Sequence, residues 1–554
     1  MNHRAPLESQ ILTLQVGPYS NFIASHYWNI QNDNYQYSIK NNSKFEVNPS
    51  ILYRGGSGET ANDSQTYTPR VLVVDYADNF GAMSREGRIY RPKMSAAGLP
   101  ATTAVSEDLG ERVTQHISKP AGSPISFDSD KDHRLDDFEY WSDYLQTDYH
   151  TNSIVPLTQT NQNNSISGKL YDDGYDLFFD NVEIVDTYQD NMRRLVEECD
   201  HLGGFQCFSD VDGIWGGVST ALLQHIEDEY TSRPIITFGC TQHSTSIADQ
   251  VEASIDERVY NVSKSIKSLA QYSSLYTPLT AQRWSGVTTT SFNRLKMNNK
   301  FQTSAILASS IDTGTLYYRS NFNHSIADLC RHMSLGGPRN LCTLSSSFPG
   351  SIAEFSFAAR PLYTANQQNT TNTSAQPLHS HPLMNYLSPK IINKSFSPFT
   401  EVISMRGEVC PGVSGYDQVK EVLEQYMSDS NRGNEYHSRA INSMICNISQ
   451  PFIVDKPHSF PAYRSTSTNQ SSNSNNNMEQ QQQQHYDPTP TSILAHLQNG
   501  RLVQQYVKTL AMEFKELIQQ RRVHRNNNTS DEADPNSATL EHLLNISDAY
   551  STSD

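Results

Sequence analysis

The chain has 554 residues, which at roughly 150 residues per domain sets an expectation of about three to four domains. Apolar residues make up 36%, with 29 Tyr and 21 Phe, a composition that excludes a disordered polyelectrolyte. The 42 Lys and Arg against 59 Asp and Glu leave a net charge of -17, which repels phosphate backbones and disfavours both nucleic acid and a basic membrane-binding face.

Ile11–Val16, Gly17-Pro18-Tyr19-Ser20-Asn21, and then Phe22, Ile23, His26, Tyr27 and Ile30 at helical spacing read as strand, turn and helix. Tyr53–Arg70, rich in Gly, Ser and Thr, reads as a loop. Val71-Leu72-Val73-Val74, ending in Asp75, suits a strand covered on both faces of a parallel sheet. Residues 91–135 lack any period and read as a surface insertion, followed by a helix at Phe138–Leu145. Val185, Tyr188, Met192, Leu195, Cys199 and Leu202 predict a helix stopped by Gly203-Gly204. Phe205–Val211 predicts a strand, Ser219–Tyr230 a helix and Ile235–Phe238 another strand, an alternation that implies βαβ units and a doubly wound sheet.

Further on, Asn261–Leu269, Ala327–Leu335 and Asp417–Met427 read as helices, Ile352–Ala359 as a strand and Asn366–Ser380 as a loop. Ser465–Gln484 is an Asn/Gln/Ser tract unable to bury enough surface to order itself. Val503, Tyr506, Val507, Leu510, Phe514, Leu517 and Ile518 mark an amphipathic helix, and the polar tail beyond Arg525 holds one helical turn at Leu540–Leu544.

Seven cysteines (Cys199, Cys207, Cys240, Cys330, Cys342, Cys410 and Cys446) are widely spaced without a CxxC pair. Neither a zinc cluster nor a disulfide framework is expected, and a reducing compartment fits. No apolar run approaches the ~18 residues of a membrane span. The N-terminus carries neither an apolar signal core nor an Arg-rich presequence, so any association with an organelle is expected to run through partners.

Two loops have the placement a phosphate cradle needs, after a strand and before a helix: Gly17–Asn21 and Asp212-Gly213-Ile214-Trp215-Gly216-Gly217. Arg54-Gly55-Gly56-Ser57-Gly58 leads towards a strand and reads as a plain loop. Asp128, Asp130, Asp132, Asp136 and Glu139 fall on calcium-loop positions, but His133 stands where the sharp turn needs Gly, so a solvated acidic loop is the better reading. His379 and His381 have the spacing of a chelate without further ligands nearby. No nucleophile–base signature and no P-loop lysine motif occurs.

Ile11-Leu12-Thr13-Leu14-Gln15-Val16-Gly17 with Asn21 and Trp28 resembles the first strand, loop and helix of tubulins. Thr68-Pro69-Arg70-Val71-Leu72-Val73-Val74-Asp75 resembles their second strand, and Cys199-Asp200-His201-Leu202-Gly203-Gly204-Phe205-Gln206 the segment before their phosphate loop. With Glu86-Gly87-Arg88-Ile89-Tyr90 and Tyr140-Trp141-Ser142-Asp143-Tyr144, the combination resembles the Misato family, tubulin-like proteins linked to mitochondrial distribution and to spindle and tubulin biology. The likeness runs from about residue 8 to 455 and is strongest before 240.

The resemblance implies an α/β, tubulin-like fold: a doubly wound, mostly parallel, Rossmann-like sheet, a smaller α+β intermediate domain and C-terminal helices. The expected division is 1–270 with the insertion at 91–135, an intermediate domain at 271–400, a helical region at 401–464, a disordered linker at 465–489, an amphipathic helix at 490–524 and a flexible polar tail at 525–554. Where tubulins carry a run of glycines, Ile214 and Trp215 add bulk, and Asp210 and Asp212 add charge beside an anion. Pro18 removes a donor from the first loop. The tubulin magnesium acid falls at Ala77, leaving Asp75 or Asp78 as substitutes, and Arg331 stands at the catalytic acid three residues after Asp328.

The expectation is therefore a non-enzymatic protein with no catalytic residue, no metal and no resident cofactor. If a relaxed GTP site survives, it is expected on Gly17, Asn21, Asp75, Gly213, Gly216 and Gly217. The resemblance further implies a role in mitochondrial distribution, morphology and inheritance, protein partners such as tubulin or the cytosolic chaperonin, and a location in the cytoplasm and, peripherally, on the mitochondrial outer surface. The rival expectation is a filament-forming, GTP-hydrolysing tubulin relative.

Overall fold

The apolar runs of the first half become strands buried on both faces. The computed structural model describes residues 9–40, 45–56, 66–81, 83, 138–157, 170–242, 255–280, 298–321, 324–347, 385–389, 398–407, 442–450, 452, 493–524 and 535–551. A parallel sheet has the order β5-β4-β1-β6-β7-β8, built from β1 (Gln10–Val16), β4 (Val71–Tyr76), β5 (Ile154–Leu157), β6 (Leu202–Asp210), β7 (Ile235–Thr241) and β8 (Leu275–Thr280). Val16 pairs with Val74 on one side and Ser209 on the other, so β1, β4 and β6 end side by side.

Alternating side chains serve two separate cores. Ile11, Val71 and Val73 pack with α1 (Pro18–Lys40) and α6 (Lys300–Gly314). Leu12, Leu14, Leu72 and Val74 face α3 (Val182–Glu197), α4 (Trp215–Glu229), α5 (Ile255–Tyr272) and α9 (Arg501–His524), with α2 (Tyr171–Asp180) packed on α4. Both faces covered is the condition for an all-parallel sheet, and it explains the unbroken apolar run Val71–Val74 of β4.

A second, mostly antiparallel sheet has the order β10-β9-β13-β11-β12, from β9 (Thr343–Ser347), β10 (Asn385–Tyr386), β11 (Pro398–Arg406), β12 (Asn442–Ile448) and β13 (Ile493–Gly500). The buried helix α6 separates the two sheets. Its Ser304, Ser309, Ser310 and Thr313 hydroxyls donate to main-chain carbonyls three or four residues back, which satisfies them away from water.

A buried ionic knot ties these layers together. Asp312 of α6 takes Arg319 of α7 (Leu316–Arg319) at 2.8 Å and Arg406 of β11 at 3.0 Å. From α1, Gln31 donates to Asp312 at 2.6 Å, and Asn34 accepts from Arg406 at 2.8 Å. All three charged side chains are fully buried.

Several expectations are corrected. Tyr53–Arg70 contains a hairpin, β2 (Tyr53–Gly56) with β3 (Thr66–Pro69). Gly203 and Gly204 do not stop a helix, which ends at Glu197; they lie in β6, where a Cβ would strike Ser9 or the Pro234 carbonyl. Phe138–Leu145 holds only a 3-10 turn at Trp141–Asp143. β8, beyond the expected boundary at 270, completes the first sheet because its main chain pairs with β7. The expected helical region at 401–464 contributes β11 and β12, held by parallel pairing from Thr400 to Arg406. The 490–524 segment opens with β13 before its helix. The supposed flexible tail forms α10 (Pro535–Ala549), anchored by buried Leu543 and by Tyr550, whose hydroxyl bonds both N–H and C=O of Leu341.

Outside the described residues lie the 91–135 insertion, calcium-loop positions 128–136, Ile352–Ala359, Asn366–Ser380, His379, His381, Asp417–Met427 and the linker at 465–489. No helix among the described residues is long and apolar enough to cross a membrane.

Candidate functional site

The ends of β1, β4 and β6 form the crevice where such sheets bind ligands. Gly17 leaves β1 with φ +101, and α1 starts at the next residue, Pro18, which has no N–H. The first free amides of α1 are those of Tyr19 and Ser20, the natural seat for an anion. Asp210, at the end of β6, occupies that seat. One of its oxygens accepts from Tyr19 N at 2.9 Å; the other accepts from Ser20 N at 2.7 Å and Ser20 Oγ at 2.6 Å. A Cβ on Gly17 would come within 2.6 Å of this carboxyl, so the glycine is required by the closeness of Asp210. Burial, reinforced by the nearby Asp212, pushes the Asp210 carboxyl up to about 8, against the pull of its Ser20 and Tyr19 donors.

Asp75, at the end of β4, is equally engaged. Its oxygens accept from Asn21 Nδ2 at 2.8 Å, Trp141 Nε1 at 3.1 Å, Asn79 Nδ2 at 2.7 Å and Tyr76 N at 2.8 Å. Burial lifts this carboxyl to about 6, with the four donors opposing. Four donors saturate its lone pairs and leave no free oxygen for a metal.

The loop after β6 is filled by its own side chains. Asp212 pairs with Arg258 at 2.9 Å, and Arg258 also donates to the Gln242 carbonyl. Trp215, the first residue of α4, meets the Tyr76 ring edge-on at 4.8 Å, joining the two strands that flank β1. Gly213 faces open space. Gly216 and Gly217 are packing glycines: a Cβ would come within 1.9 Å of Ser265 Oγ on α5, or within 2.0 Å of the Tyr171 carbonyl on α2. Gly174 reciprocates, with the Ile214 carbonyl 1.9 Å from where its Cβ would be.

Of the expected site residues, the structure thus sets Gly17 against Asp210 and bonds Asn21 to Asp75, leaves Gly213 on the loop, and turns Gly216 and Gly217 into helix contacts. A guanine triphosphate with magnesium does not fit the described residues, because the α1 amides, the Asp75 oxygens and the surfaces of Gly216 and Gly217 are already used. Asp78, the other substitute acid, is exposed and makes none of these contacts. Sequence reasoning missed Trp141 and Asn79 as partners of Asp75; the spacing of Asn79, four residues after a strand-end aspartate, was the available signal. Asp328, in the segment that resembles the tubulin hydrolysis trigger, closes a capping box with Ser325 on α8 (Ile326–Ser334) and pairs with Arg331. No group of three or more His, Cys, Asp or Glu among the described residues is placed to hold a metal.

Comparison with known proteins agrees with this architecture. Residues 9–124 match the Misato Segment II tubulin-like domain, and residues 132–320 match a tubulin domain. "Protein DML1" of Phaeosphaeria nodorum is 30% identical over 319 residues, covering 56% of this chain and 58% of that one. "Protein dml1" of Aspergillus clavatus is 30% identical over 320 residues (55% and 60%), and "Protein misato" of Drosophila melanogaster 29% over 348 (56% and 59%). The chain spans about three fifths of the length of these relatives. The two tubulin-type matches and these relatives, together with the parallel α/β sheet, make the chain a tubulin-like protein of the Misato family.

Proposed function

We propose that the chain is a non-enzymatic tubulin-like protein that serves mitochondrial distribution, morphology and inheritance through protein contacts. One observation carries the non-enzymatic reading: the Asp210 carboxyl sits on the α1 amides that an incoming phosphate would need. Displacing three hydrogen bonds of ~1 kcal/mol or more each, and approaching Asp212 besides, sets a barrier of several kcal/mol, or about 10²–10⁴ in affinity. The mitochondrial part rests on the resemblance to the Misato family. The proposed location is the cytoplasm and the mitochondrial outer surface by peripheral attachment, with tubulin or the cytosolic chaperonin as partners.

Two measurements test the two parts separately. Purified chain titrated with GTP and magnesium should release no binding heat, and nucleotide analysis after denaturation should find no guanine nucleotide. Turnover, or pelleting that depends on GTP, would replace this reading with a filament-forming GTPase. Depleting the protein in cells should disturb the mitochondrial network; an unaltered network would remove the mitochondrial part.

A further inference from the structure

We propose that the corner between α2 and α3 is a docking surface for a basic, apolar-bearing segment of a protein partner. Phe179 and Val182 flank this corner, 49% and 69% exposed. The Tyr175 ring lies tilted against Phe179 at 4.9 Å, which holds the ring in place before any partner arrives.

The rim is anionic and only partly compensated. Between Tyr171 and Met192 the sequence has seven acidic residues and no Lys or Arg. Three of the seven are engaged: Asp172 with Lys264 at 3.7 Å, Asp173 with Leu170 N at 3.0 Å and Asp190 with Arg193 at 3.4 Å. Asp176, Asp180, Glu183 and Asp186 are exposed and make no ion pair among the described residues. Asp176 and Asp180 stand four apart on one helix, where like charges repel. Asp180 also lies in the last turn of α2, which has no basic residue, so it opposes the helix dipole. Exposed apolar surface and unneutralised charge thus break local rules together at one place, the pattern expected where a partner supplies what the chain lacks.

Charge selects the occupant. Anionic lipid and nucleic acid are repelled by the rim. A second copy would bring the same acidic corner and a total charge of -17. A cationic segment with apolar anchors complements both features.

The probe is a fluorescent amphipathic helical peptide of Lys and Leu, titrated into the full chain at low and at physiological salt. Phe179→Ser with Val182→Ser leaves the charge unchanged and should weaken binding at least about tenfold. Asp180→Asn with Glu183→Gln should weaken binding and flatten its salt dependence, whereas the same charge loss on α10, Glu541→Gln with Asp548→Asn, should leave the affinity unchanged. All six positions are exposed, so circular dichroism and melting should match the parent. Equal affinities for the parent and the double-Ser chain would overturn the proposal, since binding would then follow net charge alone. So would a concentration-dependent dimer abolished by the same double-Ser change, which would assign the face to a second copy.

Discussion

Replacing Asp210 by Asn tests whether the carboxyl on the α1 amides keeps its proton at neutral pH. In the folded chain burial raises it to about 8, whereas an unfolded aspartate titrates near ~3.9. The folded state therefore holds a proton that the unfolded chain has released. Stability from this group is fully present below about pH 4 and is lost as pH climbs towards about 8, opposite in sign to an ordinary ion-paired carboxylate. Asp75, raised to about 6, acts in the same direction but has little further effect above that pH. Between about pH 6 and 7.5 Asp210 thus removes about 2 kcal/mol, one and a half pH units at ~1.36 kcal/mol each. Asp210→Asn has no proton to lose, so its stability relative to the parent should improve by about 2 kcal/mol across that window, whatever its fixed offset. Urea denaturation followed by tryptophan fluorescence at both pH values measures the difference. Identical pH dependence for parent and variant would show that the Tyr19 and Ser20 donors keep the group ionised, and the argument from burial would fail.

The glycines divide sharply. Gly217→Ala should destabilise by about 1–3 kcal/mol because its Cβ meets the Tyr171 carbonyl, while Gly213→Ala, facing open space, should melt like the parent. Asp312→Ala should cost about 3–5 kcal/mol in urea denaturation by leaving Arg319 and Arg406 buried without their anion, and adding Arg406→Met should recover part of it. Tyr550→Phe should cost about 1–3 kcal/mol, because Leu341 N–H and C=O both lose their partner, and amide exchange at Leu341 should accelerate. Asp210→Ala should melt higher on adding phosphate, which can refill the vacated seat; the parent should not respond.

The parallel sheet was legible because β1, β4, β6 and β7 are buried on both faces and their apolar residues outnumber the buried polar ones such as Gln15, Gln206 and Thr237. The second sheet was not. β13 buries His496, Gln498 and Asn499, and β11 buries Glu401 and Arg406, residues that locally read as surface. His496 with Glu401 at 2.8 Å, and Arg406 with Asp312, are pairings across long stretches of chain that no local pattern reveals. α10 read as a tail because few of its residues are buried, Leu543 and the following Tyr550 chief among them. At the site, Asp210 was recognised as a charge in the wrong place for a phosphate. That it supplies the hydrogen bonds of the missing anion depends on a contact spanning 190 residues.

The knot around Asp312 sets a schedule for synthesis. Gln31 and Asn34 leave the ribosome with the first helix, yet their partners from other elements come 281 to 416 residues later. At ~5–20 residues per second the wait is tens of seconds. Throughout it, the opening helix carries polar atoms destined for a dry interior and an apolar face without its cover. The helix therefore stays without its partners until the last third of the chain emerges, and a chain cut short before Gln450 lacks the group that bonds the Asn34 carbonyl.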